Sequence, residues 1–202
     1  MDDLGFSALG GIGEEDLPDH VAAQPVRCSL RPWQLGDAAA LLDAYRSTPD
    51  LGIQLGSPTW SSEAHARDFI AANFGHSETH RNWAIVDGTL AVGNVGISSI
   101  DRRHDTAWLY YWLAASARGR GLATRALATV CEWAFDEGLF RLELGHRVNN
   151  PESCGVATRA GFAPEGIERQ KLRYGSERFD VELHARLRTD REAPVRLLPL
   201  TT

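Results

Sequence analysis

The sequence predicts an α/β domain, α+β in its local order, built on a mixed and mainly antiparallel sheet. Three observations predict it. First, two apolar runs in "NWAIVDGTLAVGNVGISSI" (82–100) flank Asp87-Gly88, a dipeptide suited to a tight hairpin. Second, segments 106–115 and 140–148 enclose a glycine-bearing turn and a helical pattern. Such a β-α-β unit places its two strands parallel and adjacent. Third, "FAPEGIERQKLR" and "ERFDVELHARL" form a last pair of strand-like segments around Tyr174-Gly175-Ser176.

The elements follow in order. "VRCSLRPW" (26–33) reads as a strand ending at Pro32. Asp37 is placed to N-cap a helix from about Ala38 to Arg46. Residues 48–60, with Pro49, Gly52, Gly56 and Pro58, read as a loop. Ser61 or Ser62 caps a second helix running to about Phe74, with Ile70 and Phe74 on one face. The hairpin at Asp87-Gly88 comes next, then the turn "DRRHD" (101–105) and the aromatic strand "TAWLYYWLAA" (106–115). A helix runs to about Glu137 and stops at Gly138. "FRLELGHRV" (140–148) is a strand, and "NNPES" leads into a helix over about 151–160, ended by Gly161. The last strand pair closes the domain.

Residues 1–24 are acidic and Gly-rich without periodicity and read as a mobile tail. The domain is expected over 25–188, with 189–202 as a C-terminal tail. In that tail, Val195, Leu197, Leu198 and Leu200 are expected to dock on the domain or on a second subunit, which leaves a homodimer possible.

Composition excludes several classes. A net charge of -6 argues against nucleic-acid binding. No stretch approaches the apolar length of a membrane span, and "MDDLGFSALGG" does not read as a signal peptide. Three cysteines without metal-type spacing suggest reduced thiols and a cytoplasmic setting. The histidines show no HExxH pattern or close pairing, so no metal site is expected. Lys171 is the only lysine and sits in a poor context for Schiff-base chemistry.

The chemistry centres on "SARGRGLATRAL" (116–127). A helix N-terminus offers unpaired N–H groups and partial positive charge, and glycine lets a phosphate approach the backbone closely. A P-loop would need Gly-Lys-Ser/Thr, and a dinucleotide fingerprint a third glycine where Thr124 stands.

"RGRGLA" (118–123) resembles the pyrophosphate loop of the GNAT superfamily, the acetyl-CoA-dependent N-acetyltransferases. "YYWLAASARGRGLATRAL" is similar to that family's fourth strand, loop and third helix, and "LRPWQLGDAAALLDA" to its first strand and helix. "RVNNPESCGVATRAGFAPEGIERQ" and "YGSERFDVELHARL" resemble RimJ/RimL-like members in the Asn-x-x-Ser element and in Gly175 and Asp180 of the last hairpin. The likeness spans about residues 26–188. It implies a seven-stranded sheet flanked by about four helices and splayed between the fourth and fifth strands.

The resemblance also implies roles. Backbone amides of Arg118, Gly119, Arg120, Gly121, Leu122 and Ala123 would hold the pyrophosphate of acetyl-CoA. The pantetheine arm would pair along Trp112, Leu113 and Ala114, with an N–H near Leu113 receiving the thioester carbonyl. Asn150 would hold the pantetheine or a side chain of the site, and Ser153 would protonate the leaving thiolate. Either Asn149 or Asn150 could instead simply cap the helix that follows. Where many relatives carry a fourth-strand glutamate, this chain has a tryptophan, which leaves His146, Glu143 or a water held by Tyr110 or Tyr111 as candidate bases. The implied acceptor is a primary amine, a protein or peptide N-terminal α-amine first, with a small-molecule amine such as an antibiotic or polyamine as the alternative. The loop at 48–60, with Trp60, and the 174–178 hairpin are expected to shape its pocket. A non-catalytic acyl-CoA-binding module is the alternative that the missing glutamate favours.

Overall fold

The computed structural model describes residues 28–56 and 59–201. The segment read as an N-terminal tail, 1–24, lies outside the described residues. One seven-stranded sheet runs in the order β1-β2-β3-β4-β5-β7-β6. Its strands are β1 (Cys28–Pro32), β2 (Arg81–Asp87), β3 (Leu90–Asp101), β4 (Thr106–Leu113), β5 (Arg141–Arg147), β6 (Ala163–Tyr174) and β7 (Glu177–Leu187). All neighbours are antiparallel except β4 and β5, which run parallel. Five α-helices cover it: α1 (Ala38–Ser47), α2 (Leu51–Gln54), α3 (Glu63–Asn73), α4 (Leu122–Asp136) and α5 (Pro151–Arg159).

The period-2 alternation of the strands serves two cores. Leu109 and Leu113 of β4 face α4, where Leu127, Val130 and Ala134 are fully buried. Trp112 faces the other way, into a core made by α1, α2 and α3 around Trp33, Leu41 and Ile70. Both faces are thus covered along β1 to β4.

Two details differ from the sequence reading. The segment 48–60 contains the single-turn helix α2, in which Leu51 is buried. Asp37 precedes α1 as expected but makes no side-chain cap. Its carboxylate instead accepts both Arg31 guanidinium nitrogens at 2.7 Å and the Gln34 N–H at 2.9 Å, so a charged partner outcompetes the helix amides.

The last residues return to the sheet. Leu30 of β1 donates to the Pro199 carbonyl and accepts from Thr201 N–H, both at 2.8 Å, forming a parallel bridge with Leu200. Leu198 is buried, and its N–H donates to the Thr129 hydroxyl at 2.8 Å. Leu197 faces solvent.

Candidate active site

β4 and β5 pair only at Thr106–Arg141, Ala107–Leu142 and Trp108–Glu143. Beyond Trp108 they diverge, while β4 stays paired with β3 as far as Leu113 and β5 with β7 as far as Arg147. The result is a V-shaped gap whose one wall is an open strand edge. Ala114 N–H donates to Val92 on the β3 side at 2.9 Å. Strand alternation therefore turns the Leu113 N–H toward the gap.

A cleft of about 750 Å³ fills this gap and continues to the start of α4. Gly119 and Gly121 there have φ of +75° and +71°, a left-handed conformation that favours glycine. An added Cβ at either would meet nothing within 4 Å. What the positions exclude is thus not a protein clash but a side chain standing in open space where a ligand would lie. Gly121 is the N-cap of α4 and brings no side-chain cap, so the amides of Leu122, Ala123 and Thr124 lack intrahelical acceptors. The Thr124 hydroxyl also lines the cleft, buried and without a partner among the described residues. A row of unmet donors at a helix start fits an anionic group such as a pyrophosphate.

The two loop arginines are already engaged. Arg120 turns away and pairs with Asp87 at 2.7 Å, holding that carboxyl below its usual range. Arg118 lines the cleft, pairs with Asp50 at 3.0 Å and donates to the Leu113 carbonyl at 3.2 Å. With Thr48 accepting the Ala115 N–H at 2.9 Å, that pair stitches the segment around α2 to the loop.

On the opposite wall, Asn150 caps α5: its side-chain oxygen accepts the Ser153 N–H at 3.1 Å. Tyr111 donates from its hydroxyl toward Ser153, 3.2 Å from both Oγ and the carbonyl oxygen. Tyr111, Asn150 and Ser153 all line the cleft. Burial above all raises the Tyr111 hydroxyl above its ordinary pKa, opposed by the Ser153 bond. The phenol therefore stays protonated and able to donate.

Neither base candidate on β5 reaches the cleft. His146 does not line it; its Nε2 lies 3.0 Å from Nε2 of His184, and its Nδ1 lies 3.1 Å from the Arg147 carbonyl. Glu143 accepts Arg141 at 2.8 Å near the base of the V. Tyr110 donates to Asn82 at 2.8 Å on the far face of the sheet. The cleft-lining carboxylates among the described residues are Asp50 and Glu152. Sequence reasoning missed both, because Asp50 is brought in by α2 and Glu152 reads as an ordinary first-turn acid. Of the expected acceptor-pocket segments, Asp50 and Gln54 line the cleft. Trp60 stacks instead on Tyr45 and Phe69, each with centroids 4.8 Å away. The 174–178 hairpin does not line the cleft; its Tyr174 and the following Phe179 receive the cleft-lining Arg147 guanidinium at 5.5 and 5.2 Å.

Comparison with known proteins decides the lineage. Residues 27–163 match the family model described as an acetyltransferase (GNAT) domain. The chain belongs to the GNAT acetyltransferase family. Within it, the sequence is similar to the ribosomal-protein-serine acetyltransferase of Escherichia coli (strain K12), 35% identical over 97 residues, which are 48% of this chain and 54% of that protein. The chain spans little more than half the length (54–59%) of the first curated relatives it matches. Among solved structures, RimL, a ribosomal L7/L12 α-N-protein acetyltransferase in complex with coenzyme A, superposes with a TM-score of 0.70 at 23% identity. That match covers 81% of this chain and 96% of RimL. Mycobacterium smegmatis RimJ, in complex with a CoA-disulfide, also gives 0.70, at 24% identity over 82% and 85% of the two chains. These likenesses establish the GNAT fold, with its mixed seven-stranded sheet and parallel β4–β5 pair, for this molecule. The expected four helices become five through α2.

Proposed function

We propose that this protein moves the acetyl group of acetyl-CoA directly to a primary amine, with the N-terminal α-amine of a protein or peptide as acceptor. The observation that carries the reading is the β4–β5 gap, closed at one end by the uncapped start of α4. Amides of residues 119–124 bind the pyrophosphate, and each charge-assisted bond contributes about 1.5–3 kcal/mol. A second cavity, of about 260 Å³, adjoins Gly121 and Thr124 and is lined by Arg125, Arg159 and Arg196. Its cationic lining suits the remaining phosphate of the cofactor's nucleotide end. The pantetheine amides pair with the free edge of β4 as an added strand.

The chemistry balances within the cleft. The neutral amine attacks the thioester carbon, and the carbonyl oxygen becomes an oxyanion that accepts the Leu113 N–H. Collapse breaks the C–S bond. The departing thiolate takes a proton from Ser153, which Tyr111 resupplies through their 3.2 Å contact. The proton shed by the amine leaves through water toward Glu152 or Asp50, and a proton returns from water to Tyr111 to close the cycle.

The acceptor class follows from the weak base. At pH 7 roughly one α-amine in ten is neutral, against fewer than about one lysine amine in a thousand. A site with no strong base thus favours α-amines. The resemblance to ribosomal-protein N-acetyltransferases supports the same acceptor by a separate route. No helix among the described residues is long and apolar enough to cross a membrane, and the three free cysteines suit action in the cytoplasm.

The test offers acetyl-CoA and a peptide carrying one free α-amine and one internal lysine, with mass spectrometry locating the product. Near pH 7, kcat/KM for the α-amine should exceed that for the lysine by at least about tenfold. Acetylation mainly on the lysine would refute the acceptor assignment. No turnover with any amine, together with tight acetyl-CoA binding, would instead identify a binding module.

A further inference from the structure

Outside the cleft, three strand residues and one helix residue converge beneath α5. His146 on β5 stands directly opposite Glu182 on β7, and His184 follows two residues along β7 on the same face. Cys154, in the first turn of α5, points at them. One donor atom from each of the four residues lies within 4.8 Å of the others. His146 Nε2 is 3.0 Å from His184 Nε2 and 3.4 Å from Glu182 Oε2, and His184 Nε2 is 3.1 Å from the same oxygen.

Proton counting makes this arrangement awkward as hydrogen bonding alone. The Arg147 carbonyl can only accept, so in a neutral His146 the Nδ1 carries the hydrogen and the Nε2 is a bare lone pair. His184 Nε2 would then have to share a single hydrogen between His146 and Glu182. A cation resolves the competition, because both imidazole lone pairs and the carboxylate can face one centre. With bonds of about 2.0–2.3 Å, the edges of a tetrahedral site are about 3.3–3.8 Å. The three distances among His146, His184 and Glu182 lie within a few tenths of this, and Cys154, in a group spanning up to 4.8 Å, closes in by about 1 Å on binding. A thiolate and a carboxylate would neutralise a divalent charge, and two imidazoles with one thiolate suit zinc better than calcium or magnesium. For His146 the Nδ1–H to Arg147 bond is the orienting contact that metal-bound histidines usually have, whereas His184 Nδ1 is buried without a partner among the described residues. Both histidine side chains are buried, at 5% and 1% exposure, while Glu182 at 28% leaves a path for entry.

We propose that His146, Cys154, Glu182 and His184 form a binding site for a divalent transition-metal ion of the zinc class, which staples the start of α5 to the β5–β7 sheet. The site stands next to the cleft but outside it: Cys154 follows Ser153, so a bound ion would hold the wall that carries Asn150 and Ser153. The proposal goes beyond the sequence expectation of no metal, which considers ligands close in sequence. Here they come from three elements, and strand register brings them together.

The test uses the full chain without a histidine tag. Purified without chelator, it should carry about one zinc per chain by elemental analysis. Stripped and titrated with cobalt(II), it should develop the visible bands of a tetrahedral ion and a thiolate-to-cobalt charge-transfer band. Cys154→Ser should abolish the charge-transfer band and weaken binding at least about tenfold. Glu182→Gln, at a part-exposed position, serves as a second variant if the first fails to fold, and should weaken binding similarly while keeping that band. Folded wild-type chain that binds neither ion at micromolar concentrations would overturn the proposal. So would cobalt binding left unchanged by both variants, which would place the ion elsewhere. The readouts are metal content and absorbance, so they stand apart from the outcome of any acetyl-transfer assay.

Discussion

In the proposed reaction Tyr111 and Ser153 serve the step where the leaving thiolate takes a proton, a role that shows in kcat and not in KM. That thiolate exists only once attack has begun, so the pair acts on the transition state and not on substrate binding. Ser153→Ala is expected to lower kcat more than it changes KM, and Tyr111→Phe to do the same. Unchanged kcat in Ser153→Ala, where chemistry limits turnover, would return that serine to a structural place behind the Asn150 cap. Burial raises the Tyr111 pKa above its usual value, so the donating form persists through neutral and alkaline pH. The kcat profile should therefore show no falling limb below about pH 10 from this group. A limb near pH 8 that Tyr111→Phe removes would contradict the assignment. At this scale the sequence was partly legible. Asn150, Ser153 and the glycine turn could be picked out from their motifs. The partners of Arg118 and Arg120 could not, because Asp50 and Asp87 lie far away in sequence and are brought there by α2 and the β2–β3 hairpin.

The C-terminal segment is the element whose contribution is simplest to measure. Leu198 is buried against the α4 face of the sheet, and residues 199–201 extend the sheet beyond β1. Removing residues 194–202 uncovers Leu198 and the β1 edge, at a cost of about 3 kcal/mol. For a chain of this size that corresponds to a Tm lower by roughly 6–12 °C. A melt unchanged by the truncation would show that the segment contributes nothing. Other elements differ in how openly the sequence declares them. Asp87-Gly88 signals its hairpin because few other dipeptides accept the turn, and Gly88 does adopt a φ of +64°. The strand-turn-helix-strand run from β4 to β5 is equally local. Helix α2 has only four residues, one of them Gly52, and its burial of Leu51 is decided by tertiary packing. The placement of β7 between β5 and β6 is likewise non-local, since a hairpin can dock by either strand.

For the whole molecule, the central feature is a sheet that stays closed along β1 to β4 and opens once, past Trp108. No single segment encodes the opening. It follows from β4 pairing with β3, β5 pairing with β7, and only three residue pairs joining the two halves. The family resemblance therefore pointed to the gap where periodicity could not. The account stands on acetyl-CoA occupying it with the pyrophosphate on the start of α4. Titration calorimetry of acetyl-CoA into wild-type protein and Gly121→Glu tests this most directly. The substitution sets a carboxylate where the phosphates would lie, with no protein atom within 4 Å to clash with its Cβ, though a side chain at φ +71° is strained. The account predicts saturable binding to the wild type and no measurable heat from a Gly121→Glu protein that still melts cooperatively. Wild-type affinity in that folded variant would contradict it.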